Sequence, residues 1–172
     1  MGELRWVGIG LLVVFVDLRL NGVDFVTDSV GWVVAAAGLF SLRRWHTLFG
    51  ISGAAAVVGF LAWAADPWLG VDQGTASVVE GIAQTVVVFA TCTALMDLVP
   101  ERRSTADLIR WWDLGLGVVA LLVGALFAGE EGGGAVLLVL LLVIPALVVY
   151  VAFLVLLFRC APVTPRAATA SR

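Results

Sequence analysis

The residues able to do chemistry are few, and most of them crowd into one stretch. Asp17, Arg19, Asn21 and Asp24 fall within eight residues, and Asp28 follows four residues later. On a helix, Asp24 and Asp28 share one face. Near its N-terminus the dipole stabilises such an anion by roughly 0.3–1 kcal/mol. Two readings of this set stand side by side. Arg19 and the acids form an ion-pair network that locks a first helical hairpin, or they form an outward-facing site for a cation, a proton or a polar ligand. A second polar set, Glu80 and Gln84, lies one turn apart with Thr85 beside it. Glu80 and Asp28 would make a carboxylate pair across helices, as ion-coupled carriers use; the alternative is that Glu80 is a first-turn acid at headgroup level. His46, the only histidine, neighbours Arg43, Arg44 and Trp45 and reads as a solvated interface residue. Cys92 and Cys160 lie in no CxxC or Cys/His cluster, so neither a disulfide framework nor a zinc site is indicated. There is no G-x-S-x-G, no H-E-x-x-H and no phosphate loop. The expectation is a protein that is not an enzyme, with no catalytic residues, no cofactor and no metal.

The elements that must position these residues follow from composition. Of 172 residues, 62% are hydrophobic and 13% are charged, and the mean hydropathy is +1.08. A soluble domain is roughly 45–50% apolar and about 25% charged, so a water-soluble single-core fold is excluded. The net charge of −3 and the absence of a basic cluster exclude a nucleic-acid binder. A bilayer crossing takes ~20 apolar residues. Six segments qualify: 4 to 18 or 20, 25–42, 48–65, 78–99, 111–128 and 135–158. Between them lie Asn21-Gly22, Arg43-Arg44, Asp66-Pro67, Pro100 to Arg103, and Gly129 to Gly134. Pro145 should kink the sixth. The first segment resembles a signal peptide, but Asp17-Leu18-Arg19 follows it with no A-x-A cleavage pattern, so a retained span is expected.

The expected fold is therefore an all-α polytopic transmembrane bundle of about six spanning helices. It forms one domain over residues 1–160, with a disordered tail at 161–172. Basic residues favour the cytoplasmic side. With both termini cytoplasmic, Arg5, Arg43, Arg44, Arg102, Arg103, Arg110, Arg159, Arg166 and Arg172 lie inside, and only Arg19 lies outside. All basic residues are Arg, with none Lys, and Ala, Val and Gly are in excess. This points to a GC-rich bacterial genome and so to a bacterial plasma membrane.

The first hairpin carries a resemblance. Gly8-Ile9-Gly10-Leu11-Leu12, then Asp17-Leu18-Arg19-Leu20-Asn21-Gly22-Val23-Asp24, then Asp28, Gly31 and Trp32, resemble the opening of small multi-spanning membrane proteins of Gram-positive bacteria. Those proteins share a D-x-R-x-x-G-x-D first turn. The resemblance covers roughly the first 40 residues and departs at Thr27, where those proteins often carry Pro. It implies a membrane class and a structured first turn, and it transfers no activity.

Small residues recur at steps of four: Gly31 and Ala35, Ala55 and Gly59, and Ala120, Gly124 and Ala128. Such rows let helix backbones approach in lipid, either within the bundle or between copies. Each span entering from the inside opens on Arg and Trp followed by two glycines, which reads either as three related helical hairpins or as the Arg and Trp that the inner interface favours. Ser104 to Asp107 reads as a capping box starting an interfacial helix, Thr105 to Trp112, ahead of the fifth span. Thr91 and Thr93 should satisfy their hydroxyls on their own helix, and Asp97 should pair with Arg102 or Arg103. Polar groups are scarce at mid-membrane depth. This favours a non-enzymatic membrane component, an accessory subunit or scaffold packing against itself or another membrane protein. The alternative is a small transporter or channel whose acidic outer vestibule collects a cation or proton.

Overall fold

Apolar runs become helices because backbone polar groups in an apolar medium must be paired within their own segment. The computed structural model describes residues 2–16, 19–20, 23–24, 28–69, 73–126 and 133–162. Among these residues lie six α-helices: α1 (Glu3–Val16), α2 (Asp28–Leu42), α3 (Thr47–Leu69), α4 (Gln73–Leu98), α5 (Arg103–Leu126) and α6 (Gly133–Cys160). Two short strands, β1 (Arg19–Leu20) and β2 (Val23–Asp24), pair antiparallel between α1 and α2. One 3-10 turn, Pro100–Arg102, joins α4 to α5. Helices α3 to α6 are long and apolar enough to cross a membrane. The α1 and α2 helices, at 14 and 15 residues, are shorter.

Two boundaries differ from expectation. The α3 helix continues through Asp66 and Pro67 to Leu69, because a proline near a helix end removes one backbone bond without ending the turn. The α5 helix begins at Arg103, so the expected interfacial helix and the fifth span are one element.

Each helix packs on its neighbours in sequence, and α6 closes back on α1. Packing between helices in lipid gains little from the hydrophobic effect and depends on close approach. The α1–α2 seam shows this most clearly. A Cβ added to Gly10 would lie 2.6 Å from the Ala35 nitrogen and 2.7 Å from the Gly31 oxygen. One added to Gly31 would lie 2.6 Å from the Gly10 oxygen. Gly31 and Ala35 thus serve a seam inside the bundle. In α3, Gly59 makes room for the Trp32 indole, whose ring lies 2.9 Å from the position of a Cβ there. The α6–α1 closure is tied by Tyr150, whose hydroxyl donates to the Leu11 carbonyl at 2.7 Å, and by Phe158 packing on Gly8. Trp32, Phe49, Leu95, Phe153 and Leu157 fill the interior.

Polar contacts bind the helices at one end and at mid-height. Arg44 pairs with Glu3, bringing the α2–α3 turn to the start of α1. Asp97 meets His46 Nε2 at 3.3 Å, not Arg102 or Arg103, while the Leu48 N–H donates to His46 Nδ1 at 3.2 Å. His46 is therefore half-buried and engaged on both nitrogens rather than simply solvated. Thr93 does bond to its own helix, donating to the Phe89 carbonyl at 2.8 Å. Thr91 does not: its hydroxyl crosses to Ser52 on α3 at 3.1 Å, and both side chains are fully buried. Ser52 in turn donates to the Leu48 carbonyl at 3.1 Å.

Candidate functional site

The polar residues expected to form the outer cluster are placed only in part. Asp17 and Asn21 lie outside the described residues. Arg19 and Asp24 are cross-strand partners in the two-residue ladder, and Asp28 is the first residue of α2; the side chains of all three lie outside the described part.

Glu80 is placed. The Trp32 indole reaches over Gly59 and donates its Nε1–H to Glu80 Oε1 at 3.1 Å, linking α2 to α4. The described partner of Glu80 is therefore a tryptophan one turn along α2 from Asp28.

Gln84 is placed in a different setting. It lines a half-open cleft of about 500 Å³ between α4, α5 and α6, together with Thr85 and Asp113. Leu116, Val123 and Leu142 supply apolar walls. The cleft exists because α4 and α5 present small residues there. Gly81 has nothing within 4 Å of a would-be Cβ, and Gly117 meets only the Thr85 side chain. Ala120 and Gly124 also line the cleft, so this row of small residues opens space rather than closing a seam.

Asp113 is the residue that reading the sequence passed over. The Thr85 hydroxyl donates to its carboxylate. Its Oδ2 is shut off from solvent and has no hydrogen-bond partner among the described residues. The nearest cation along α5, Arg110, is turned elsewhere. It pairs with Asp107 at 2.7 Å and donates to Thr93 at 3.3 Å. Its guanidinium also lies 5.4 Å from the ring centres of both Phe89 and Trp111. Asp113 therefore carries a carboxylate with no described counter-charge.

Its depth follows from the helix register. Thr85 stands twelve residues after the start of α4 and thirteen before its end, about 18 Å and about 20 Å along the axis. Asp113 stands ten residues into α5, about 15 Å from its start. Both positions lie near the midpoint of helices long enough to cross a ~30 Å hydrocarbon layer. A visible signal existed: a carboxylate within the apolar run following Trp111-Trp112. With a span starting at residue 111, Asp113 falls in its first turn, whereas the helix from Arg103 places it ten residues in.

Chemically, the cleft combines one acceptor carboxylate, an amide and a hydroxyl with alkyl walls. Comparison with protein-family models, with characterised proteins and with solved structures finds no match for this chain, so the roles of Asp113, Gln84 and Thr85 rest on their own geometry.

Proposed function

We propose that this chain is a six-pass protein of a bacterial plasma membrane, with both termini cytoplasmic, and that it carries a cation or proton through a carboxylate site at mid-membrane depth. The observation that supports the reading is Asp113: a carboxylate halfway along a spanning helix, bordering a cleft of about 500 Å³, with one oxygen unpartnered. Ionisable groups at such depth are costly and typically mark ion or substrate paths. Secondary carriers hold their sites near the bilayer midplane.

The orientation is supported by charge. The Glu3–Arg44 and His46–Asp97 contacts gather the start of α1, the α2–α3 turn and the end of α4 at one end. Nine of the ten arginines belong to that end under the alternating arrangement. In this reading α1 and α2 cross as a short hairpin, and the acidic outer vestibule expected from the sequence falls on the side opposite the arginines.

The test is flux through proteoliposomes holding the full chain, read with a pH-sensitive dye and with a cation indicator. Wild type is expected to dissipate an imposed gradient and Asp113→Asn to do so at least tenfold more slowly. Equal rates for the two proteins refute the reading. An accessory subunit is the second reading. The α5 face of Gly115, Val118 and Leu122 favours it, because Gly115 meets nothing within 4 Å and Val118 and Leu122 stand exposed. Liposomes silent for both proteins, with a partner membrane protein recovered in fixed ratio, would select that reading.

A further inference from the structure

The cleft between α4, α5 and α6 is far larger than a proton or a bare ion needs, and its chemistry narrows what fits. We infer that it binds a monovalent organic cation with an apolar body, the charged group seated against Asp113. This rests on the carrier reading and names the class of its substrate.

Four observations carry the inference. The volume, about 500 Å³, lies within the ~300–1,000 Å³ of small-molecule sites. The walls at Leu116, Val123, Leu142 and Val143 are alkyl and match an apolar body. Among the described residues the one charge lining the cleft is negative, and its Oδ2 has no partner. A neutral apolar guest would leave the charge of the carboxylate uncompensated beside alkyl walls, and an anion would be repelled. A metal ion is a poor fit, because hard cations take six or more oxygens. Among the described residues no three His, Cys, Asp or Glu side chains gather to hold one. An organic cation satisfies both halves of the cleft. It neutralises Asp113 without needing a cage of ligands, and it covers the alkyl walls. Gln84 and Thr85 line the same cleft and supply hydrogen-bonding groups there.

A second, more apolar cleft of about 440 Å³ flanks the same α4–α5 line and shares Gly81, Thr85, Gly117 and Ala120 with the first. The shared residues are small or short. The wall between the two clefts is therefore thin, and filling it should close the site from both sides.

Tetraphenylphosphonium is the probe, and its neutral counterpart is triphenylphosphine oxide. Equilibrium dialysis on the full chain in detergent is expected to show saturable binding of one cation per chain. Asp113→Asn should weaken it at least tenfold, and the neutral compound should bind at least tenfold more weakly than the cation. Ala120→Phe, which fills the cleft while leaving the carboxylate in place, should weaken it to a similar degree. It keeps the test valid should Asp113→Asn fail to fold. Absence of saturable binding, equal binding by wild type and a folded Asp113→Asn protein, or equal binding of the neutral compound each overturns the inference. Asp113-dependent proton flux in a chain that binds no phosphonium would keep the carrier reading and remove this ligand class. Saturable, Asp113-dependent binding without flux would keep the ligand class and remove transport.

Discussion

The α1–α2 crossing offers the sharpest mechanical test, because the groups in contact are backbone. In Gly10→Ala the new methyl would stand 2.6 Å from the Ala35 nitrogen and 2.7 Å from the Gly31 oxygen. Neither atom can rotate away as a side-chain end would. Ordinary contact begins near 3.4 Å, so the helices must part by about 0.8 Å at this point. A gap of 0.5–1 Å forfeits a quarter to a half of each dispersion contact it opens. The side chains that lose contact include Val7, which packs at Gly38, and Val14, which packs at Gly31. Overpacking of this kind costs about 1–3 kcal/mol, and rigid backbone partners place the cost at the upper end. Alanine returns up to ~1 kcal/mol of helix propensity relative to glycine. The expected net loss is roughly 1–2 kcal/mol. Gly115→Ala is the matched control: nothing lies within 4 Å of its added methyl, so only the propensity gain remains and the sign reverses. Unfolding in mixed micelles by titration with a denaturing detergent, followed by circular dichroism, measures both. Gly31→Ala should resemble Gly10→Ala, and the double variant should lose less than the sum, because one separation relieves both clashes. Equal midpoints for Gly10→Ala and Gly115→Ala would refute the seam.

Trp32→Phe removes the indole donor to Glu80 and leaves its Oε1 without that bond. A loss of about 1–3 kcal/mol is expected, and it should shrink when Glu80→Gln is added, read by the same titration. Thr91→Val removes the bond to Ser52 but leaves Ser52 bonded to the Leu48 carbonyl. The loss should stay near 0.6 kcal/mol and below about 1.7 kcal/mol, the range for such bonds between membrane helices. Arg44→Gln breaks a pair whose arginine is mostly exposed. It should cost at most about 1 kcal/mol, and the difference from wild type should vanish at 1 M salt, where the Debye length is about 3 Å.

Much of the helical framework was legible because lipid-length apolar runs and their breakers leave few alternatives. Gly31 and Ala35 on α2 read as a seam and form one, whereas the same spacing at Ala120 and Gly124 on α5 lines a cleft, so spacing marks room beside a helix and not what fills it. The partner of that seam was not readable: nothing in the spacing says that Gly10 rather than Gly59 meets it. The same holds for Asp97, which pairs with His46 across 51 residues rather than with the arginines beside it in sequence. Local charge favours a near partner, and helix packing supplies a distant one. Thr91 was misjudged for a related reason. A threonine in a helix can always bond its own backbone, and only the approach of α3 makes Ser52 the partner.

The missing site residue shows how a boundary becomes a chemical error. The α5 helix begins at Arg103, so Ser104 stands inside it rather than capping it, and the expected interfacial helix from Thr105 to Trp112 is the first part of the same element. With one continuous α5 from Arg103, the axis carries Asp113 about 15 Å inward. Arg110, three residues earlier, points back to Asp107 and Thr93 instead of down to Asp113. This matches the habit of long basic side chains near helix ends of reaching for the interface. An arginine long enough to reach the surface leaves the aspartate behind, because a one-methylene side chain has no such reach. The pairing of Arg110 with Asp107 thus depends on the same geometry that leaves Asp113 uncompensated. Shortening the cation, as in Arg110→Lys, should leave the Asp113 oxygen unpaired all the same. If that variant instead abolished Asp113-dependent phosphonium binding while the protein stayed folded, the two groups would form one site, and the separation argued here would fail.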